Sequence, residues 1–483
     1  MSDSASRENS SRRSRWLWFL IAGCLLITLI GLLLTLRHAV PTGQPGSAGV
    51  PWQSPATSAR APRAPTVGRA RLSHGRSTSE HAGTAQEIVA GKLVEFGRSR
   101  REILRALARL HNVAVPDEVE RFFDAVEGGD WDEIKGSFDA FHRFDGVADA
   151  PGRRPGMEQL WPAILESFGV AESAHDWPAQ KLLDYGEAVL GSLRPGMVYV
   201  GGTDPGRFIP TLLNETSEGE RRIVLTQNAL ADNSYLDYIN FLYADRFATL
   251  TSEDSQRAFQ NYMVDAQKRL LHDQQFPEEP KQIRPGEDVK LLDGRLQVSG
   301  QIAVMAVNET LLQTLVAKNP ALSFALEESF PLKSTYAEAA LLGPIMELRA
   351  QSGENAFTAE SVGRSLDYWR ATTQQMLADP EASGSPDALK TYAKMASAQA
   401  NLLLDHNYTA EAEQTYRLAS EIWPGCPEAA FSLSQLLAST GRADEAYRLI
   451  DGFALKNPDQ RVDVEAFRKT LPSIVSQPQP RRP

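Results

Sequence analysis

MVYVGGTDPGRFIPTLLNE, Met197 to Glu215, reads as a strand, a glycine turn and a helix. Met197 to Val200 is a short apolar run, and the helical spacing behind the turn extends through Leu213. A second apolar run, RIVL at Arg222 to Leu225, leads into TQNALADNSYLDYINFLY, whose apolar residues again recur at helical intervals. Strand, turn, helix, strand, helix is the order of a βαβ crossover, which predicts a parallel sheet. Further out, VKLL-DG-RLQV (Val289 to Val298) carries the Asp-Gly turn of a two-residue hairpin. A helix near Ile302 to Ala317 and a third core strand, Leu322 to Leu326, complete an α/β domain with a parallel or mixed sheet over 181–350. That strand ends at Glu327 and Glu328, and adjacent strand residues point to opposite faces, so at most one of the two turns toward a site.

The turn GGTDPGRF supports two readings. Asp204 before Pro205 fits an N-cap and a first helical residue, because the carboxylate accepts from free N–H groups where proline needs no donor. Gly201, Gly202 and Thr203 also present backbone N–H groups at a helix N-terminus, which favours a phosphate or carboxylate, with Arg207 as a second anchor. Thr226, Gln227 and Asn228 leave the second strand on the same edge, where ligands of open parallel sheets bind. Asp232, Tyr235 and Tyr238 either line that rim or pack beneath it. The expected ligand is a sugar or phosphate, and Asp204 is the candidate catalytic base or metal ligand if the turn performs chemistry. The turn is neither a Walker loop nor G-x-G-x-x-G.

Near the C-terminus a 34-residue period emerges: Ala412, Tyr416, Ala419 and Pro424 recur as Ala446, Ile450, Phe453 and Pro458, and Asn407 as Gly441. Leu433, Ser434 and Leu437 fall on the first helix of the second unit. Over 393–458 the spacing resembles the tetratricopeptide repeat, in which small residues let two antiparallel helices approach. Gln399 and Ala400 depart from it, standing where Leu and Gly are usual. Gly129, Trp131, Ile134, Phe138 and Phe141 repeat the same offsets and predict a helical hairpin over Pro116 to Phe141. Ahead of it, Ile103, Leu104, Leu107 and Leu110 mark one face of a helix, and Arg98, Arg100, Arg101 and Arg105 are expected on a solvated face. Such repeats imply a protein or peptide partner, or serve as a cap on the neighbouring domain.

Trp16 to Leu36 is a run of 21 residues without a charge, long enough as a helix to cross a hydrocarbon core of about 30 Å. Arg7, Arg12, Arg13 and Arg15 precede it, which predicts a single-pass inner-membrane anchor with a cytoplasmic N-terminus and a periplasmic body. A cleaved signal is usually shorter, and RHAVPTG lacks a small-x-small site. The division expected is a tail 1–15, a transmembrane helix 16–36, a disordered linker 37–84, a helical region 85–180, the α/β domain, a helical domain 351–472 and a tail 473–483. The first 85 residues hold ten Arg, no Lys and three acids, a balance of +7, which leaves −18 for the remainder of a chain whose total is −11. An acidic body without a basic-aromatic patch argues against nucleic acid. Cys24 and Cys426 offer no disulfide within one chain, and the absence of C-x-x-C and H-E-x-x-H leaves no metal or cofactor expected. Four N-x-S/T triplets, at Asn9, Asn214, Asn308 and Asn407, read as chance occurrences.

The stretches VYVGGTDPGRFIPTLLNE, IVLTQNALADNSYLDYINFLY, QIAVMAVN and FALEESFPL, in this order over 195–350, resemble the soluble extracytoplasmic region of a membrane-protein family of planctomycete and verrucomicrobial lineages, related to protein O-mannosyltransferases. In the multi-spanning relatives a Gly-Asp-Asn-Asp-Thr-like turn occupies the place of GGTDPGRF, and only Gly201 and Asp204 carry over. One expected span here replaces the membrane bundle that would hold a lipid-linked donor, so the resemblance does not bring glycosyl transfer to this chain alone. The expectation is therefore a membrane-anchored extracytoplasmic binding or scaffold protein of envelope glycosylation or polysaccharide assembly. The alternative is a glycosyltransferase-related enzyme of sugar or phosphate-ester transfer.

Overall fold

The computed structural model describes residues 83–143, 157–202, 204–284, 287–292, 295–327, 339–348 and 357–471. The expected anchor Trp16 to Leu36, both tails, and Thr203 and Glu328 lie outside these residues. Among the described residues, no helix is long and apolar enough to cross a membrane.

The chain is mostly helical around a mixed sheet. Helix α1 (Ala85–His111) starts in a capping box: Glu87 N–H donates to Thr84 Oγ1 at 3.3 Å, and Thr84 N–H to Glu87 Oε2 at 2.8 Å. Its inner stripe runs Val89, Leu93, Phe96, Arg100, Leu104, Leu107, so an arginine stands in the middle of an apolar face. The expected solvated face holds at Arg98, whose side chain is 69 % exposed, and is corrected at Arg100, only 1 % exposed, whereas Leu110, expected inside, is 63 % exposed. The Arg100 guanidinium reaches Glu166 and Glu215, and desolvating it is tolerable because both carboxylates meet it. Helices α2 (Asp117–Gly128) and α3 (Trp131–Arg143) form the predicted hairpin, turning at Gly129 with φ 71°. Helices α4 (Met157–Asp176) and α5 (Ala179–Ser192) then carry the chain to the sheet.

Strand β1 (Val198–Gly201), helix α6 (Asp204–Glu215) and β2 (Ile223–Thr226) are the predicted crossover, with β1 and β2 parallel in the register Val198↔Ile223 to Gly201↔Thr226. Every residue of both strands is buried, as their unbroken apolar reading implies. After a 3-10 turn (Gln227–Ala229) come α7 (Asn233–Tyr243) and α8 (Ser252–Gln275). The predicted hairpin forms as β3 (Asp288–Leu292) and β4 (Arg295–Ser299), but as a separate two-stranded sheet whose own small core is Ala266, Val289, Val298 and Ala303. Helix α9 (Gln301–Lys318) leads to β5 (Phe324–Leu326), parallel to β1 on its other side. A second hairpin, β6 (Ala339–Leu342) and β7 (Ile345–Leu348), adds antiparallel strands, giving the order β2-β1-β5-β7-β6. The sheet is mixed, with its parallel part confined to β2, β1 and β5.

Helices α10 (Ala359–Ala378), α11 (Pro380–Ser383), α12 (Pro386–Asp405), α13 (Thr409–Ile422), α14 (Pro427–Ser439), α15 (Ala443–Lys456) and α16 (Arg461–Arg468) complete the chain. The two hairpin turns inside the 34-residue period are left-handed, Asn407 at φ 67° and Gly441 at φ 84°. Asn and Gly are the residues that adopt this region at least cost. Ala412, Tyr416, Ala419, Ala446 and Ile450 are fully buried in the seams between helices. Across the two units Arg442 Nη1 meets Glu413 at 2.7 Å and Arg417 Nη2 meets Glu445 at 2.6 Å.

Helix α12 is buried without interruption from Thr391 to Ala400 because the sheet covers the side that faces away from α13. Gln399 explains its own departure from the repeat pattern: its Nε2 donates to the Ile345 carbonyl of β7 at 2.7 Å, and its Oε1 accepts from Ser365 Oγ at 3.1 Å. The N-terminal helices reach the C-terminal ones through α5, by Lys181 Nζ to Asp379 at 2.8 Å and by the edge of Tyr185 on Tyr392. One continuous core runs from Val89 to Leu471.

Candidate functional site at the carboxyl edge of the parallel strands

The ends of β1, β2 and β5 lie side by side, with Glu327 N–H donating to the Val200 carbonyl at 3.2 Å. Glu327 is 1 % exposed and turns inward. Its Oε2 accepts from Gly202 N–H at 3.0 Å, and its Oε1 from the Tyr185 hydroxyl at 2.6 Å. The anion that meets Gly202 N–H is thus the protein's own carboxylate. Asn228 Nδ2 donates to the Gly202 carbonyl at 3.0 Å, so the residue after β1 is held from both sides. Burial raises the Tyr185 pKa, and the charge of Glu327 raises it further, which keeps the hydroxyl a donor.

Helix α6 approaches this edge closely because two glycines leave room. A Cβ on Gly201 would stand 2.7 Å from the Gly206 carbonyl oxygen, and one on Gly206 only 1.7 Å from Glu327 Oε2. Tyr199 Oη donates to that same Gly206 carbonyl at 2.6 Å. Sequence reasoning named Gly201 and Gly202 but missed Gly206, whose only signal was a glycine at the start of a helix, where its low helix propensity calls for a reason.

Asp204 opens α6 as its first residue, one position inside the expected cap, and pairs through Oδ1 with Arg207 Nη2 at 3.2 Å. Arg207 is 8 % exposed, lies 4.1 Å over the Phe208 ring, and its Nε has no hydrogen-bond partner. The remaining predicted residues serve the fold. Thr226 N–H donates to the Tyr235 hydroxyl at 2.7 Å, Gln227 is buried in the 3-10 turn, and Asp232 caps α7 by accepting from Ser234 N–H at 2.8 Å. Tyr238 lies beneath the rim, donating to Glu166 Oε2 at 2.6 Å, and burial pushes Tyr235 up to about 12. Gly201, Gly202, Asn228 and Glu327 therefore converge, Asp204 and Arg207 form a second pair, and Asp232 stands apart as a cap.

Two buried ionisable groups, Glu172 on α4 and Lys390 on α12, were not read from the sequence. Gly169 of α4 lets the Phe208 ring approach, since a Cβ there would stand 2.0 Å from it. One helical turn onward stands Glu172, and burial, then the charges of Asp204, Asp176 and Asp387, push its carboxyl up to about 8, with Lys135 opposing. The folded state holds this proton more tightly than the unfolded chain, so Glu172 lowers stability progressively as pH rises from the ordinary carboxylate range to about 8. From α12, Lys390 has its pKa lowered by burial and then by Lys394, against Asp387, Glu428 and Asp204. Asp204 is common to both environments.

Two of the N-x-S/T asparagines are inaccessible. Asn214, 3 % exposed, bonds the Arg222 backbone through both amide atoms, at 2.8 and 3.0 Å. Asn308, 1 % exposed on α9, has no partner for either amide atom. An orphaned amide of this kind costs on the order of 1–3 kcal/mol, so Asn308→Leu is expected to raise unfolding stability by about 1 kcal/mol in urea titration. A fall in stability would contradict this. Among the described residues, no cluster of His, Cys, Asp and Glu could hold a metal ion.

No protein family, curated protein or solved structure matches the chain.

Proposed function

We propose that the chain is a single-pass, membrane-anchored extracytoplasmic binding or scaffold protein, with the α/β domain and tetratricopeptide-like helices acting as one head in envelope glycosylation or polysaccharide assembly. The observation that carries the choice of binding over catalysis is the carboxylate of Glu327 on Gly202 N–H, which fills the position a substrate phosphate would need. The charge-free run Trp16 to Leu36 and its preceding arginines support the anchor. The sheet already covers α12, so the partner surface lies at the free end of the repeats, where Leu455 and Val462 are 76 % and 77 % exposed. Photo-crosslinkers placed at these two positions in the membrane-borne full chain should give a discrete adduct, and protease added to intact spheroplasts should remove the head. A head that survives the protease, or crosslinking that gives no adduct, overturns the reading.

The raised carboxyl of Glu172 beside Asp204 favours a second reading, sugar or phosphate-ester transfer, because such pairs divide acid and base roles. That reading requires Asp204→Ala to lose turnover while remaining folded, whereas an ion-pairing role requires only a loss of stability.

A further inference from the structure

We infer that Asn407 is a glycan acceptor, whose side-chain amide takes a saccharide from a polyprenyl diphosphate donor on the outer side of the membrane. This rests on the extracytoplasmic head proposed above, and it makes the head itself a substrate of glycosylation.

The structure separates the four N-x-S/T triplets, which the sequence left equivalent. Asn9 precedes the run Trp16 to Leu36 and stays in the cytoplasm in the proposed topology. Asn214 and Asn308 are buried, and the hydroxyls of their triplets donate to helix carbonyls, Thr216 Oγ1 to Leu212 at 2.8 Å and Thr310 Oγ1 to Ala306 at 3.1 Å. A saccharide on either asparagine would bring its own hydroxyls into the core, so the folded head requires both to stay bare. Asn407 and Thr409 are both exposed, in the turn between α12 and α13, and neither side chain is bonded to another described residue. This triplet alone is extracytoplasmic and accessible.

The second helix pair shows that the fold does not call for these two residues. Gly441 makes the equivalent left-handed turn, at φ 84° against 67° for Asn407, and Ala443 takes the place of Thr409. Glycine enters that region at less cost than asparagine, and the cap position of α13 is Tyr408, so the Thr409 hydroxyl caps nothing. An amide and a hydroxyl two residues apart thus stand in solvent at a hairpin tip, free of packing and capping duties. Asp405 adds a negative charge two residues ahead of the acceptor, where Arg7, Leu212 and Ala306 stand in the other triplets. An exposed tip can enter the groove of a transferase while the helices on either side remain folded.

The transfer needs no redox partner. Asn407 Nδ2 forms a bond to C1 of the first sugar as the C1–O bond to the diphosphate breaks. One Nδ2 proton passes to a base of the transferase, and the polyprenyl diphosphate leaves with the electron pair.

The test is peptide mapping by mass spectrometry of the full chain purified from the membranes of its own cells, beside the spheroplast protease assay on the same culture. The peptide spanning Asn407 should carry a saccharide localised to that residue, and the peptides of Asn214 and Asn308 should be bare. Asn407→Gly keeps the left-handed turn and Thr409→Ala keeps the acceptor amide, so both variants should fold and both should lose the saccharide entirely. A bare Asn407 in wild type whose head the protease removes overturns this proposal and leaves the extracytoplasmic head standing. A saccharide retained in Thr409→Ala also overturns it, because the triplet then does not direct the transfer. A head that the protease spares overturns both readings.

Discussion

Arg100→Met is expected to lower unfolding stability by about 3 kcal/mol, the cost of leaving the buried Glu215 and the half-buried Glu166 without their cation. Arg100 is held by Glu166 on α4 and Glu215 on α6, and its guanidinium lies 4.7 Å over the Phe96 ring. Methionine fills much of the same volume and keeps the stem packing, so the loss reports the charges and not a cavity. Glu166 also accepts from Tyr238, and Glu215 is met only weakly by Arg221 at 3.4 Å, so neither carboxylate has another buried cation to turn to. Urea titration reads the change as a fall in midpoint at constant slope. A variant that also carries Glu166→Gln and Glu215→Gln should recover most of the loss. Near-wild-type stability in Arg100→Met alone would mean that these carboxylates are solvated and that α1 is not pinned to the sheet domain.

Gly206→Ala should cost about 3 kcal/mol, although alanine is the better helix former by about 1 kcal/mol. The new methyl would stand 1.7 Å from Glu327 Oε2 and 2.0 Å from its Cδ. An exposed side chain would swing away at little cost. Glu327 is buried and bonded at both oxygens, so moving it strands Gly202 N–H and the Tyr185 hydroxyl. Glu327→Ala should destabilise for the same reason, and the double variant should cost clearly less than the sum of the two singles, because both remove one interaction. Additive losses would show that Gly206 and Glu327 do not meet. The urea midpoints of the three variants measure this.

The parallel part of the sheet was legible because β1 and β2 are buried on both faces and read as unbroken apolar runs next to a glycine turn. The strand at Leu322 to Leu326 was legible for the same reason, and only its start shifts to Phe324. The hairpin β6–β7 was missed: AALLGPIMEL is broken by Gly343-Pro344, and its apolar residues do not alternate, since one end of the sheet is covered by α12. Its turn residue Gly343 has φ 58°, the feature a Gly-Pro pair could have announced. The helix pairs of the 34-residue period were legible because left-handed turns at Asn407 and Gly441 restrict residue choice. The burial of α12 was not, since Gln399 is polar and looks solvated until its β7 partner is in place. Arg100 failed for a similar reason: charge in a helix suggests solvent, and only the distant Glu166 and Glu215 make its burial affordable. Glu172 lies in an unremarkable helix, and its altered carboxyl depends on Asp204 and Asp387, which are far from it in sequence. At the carboxyl edge of the parallel strands, Gly202 meets Glu327 and Asn228, Asp204 meets Arg207, and Asp232 meets Ser234, partners that no spacing in the sequence announces.

The strand edge is closed from within, and amide hydrogen exchange at Gly202 is the sharpest probe of that closure. With Glu327 Oε2 accepting at 3.0 Å, the Gly202 amide should exchange orders of magnitude more slowly than a free amide in the native full chain, and Glu327→Ala should restore fast exchange while the amides of β1 stay protected. A Gly202 amide that exchanges at the free rate in wild type would contradict the account and return the turn to solvent, open to a ligand.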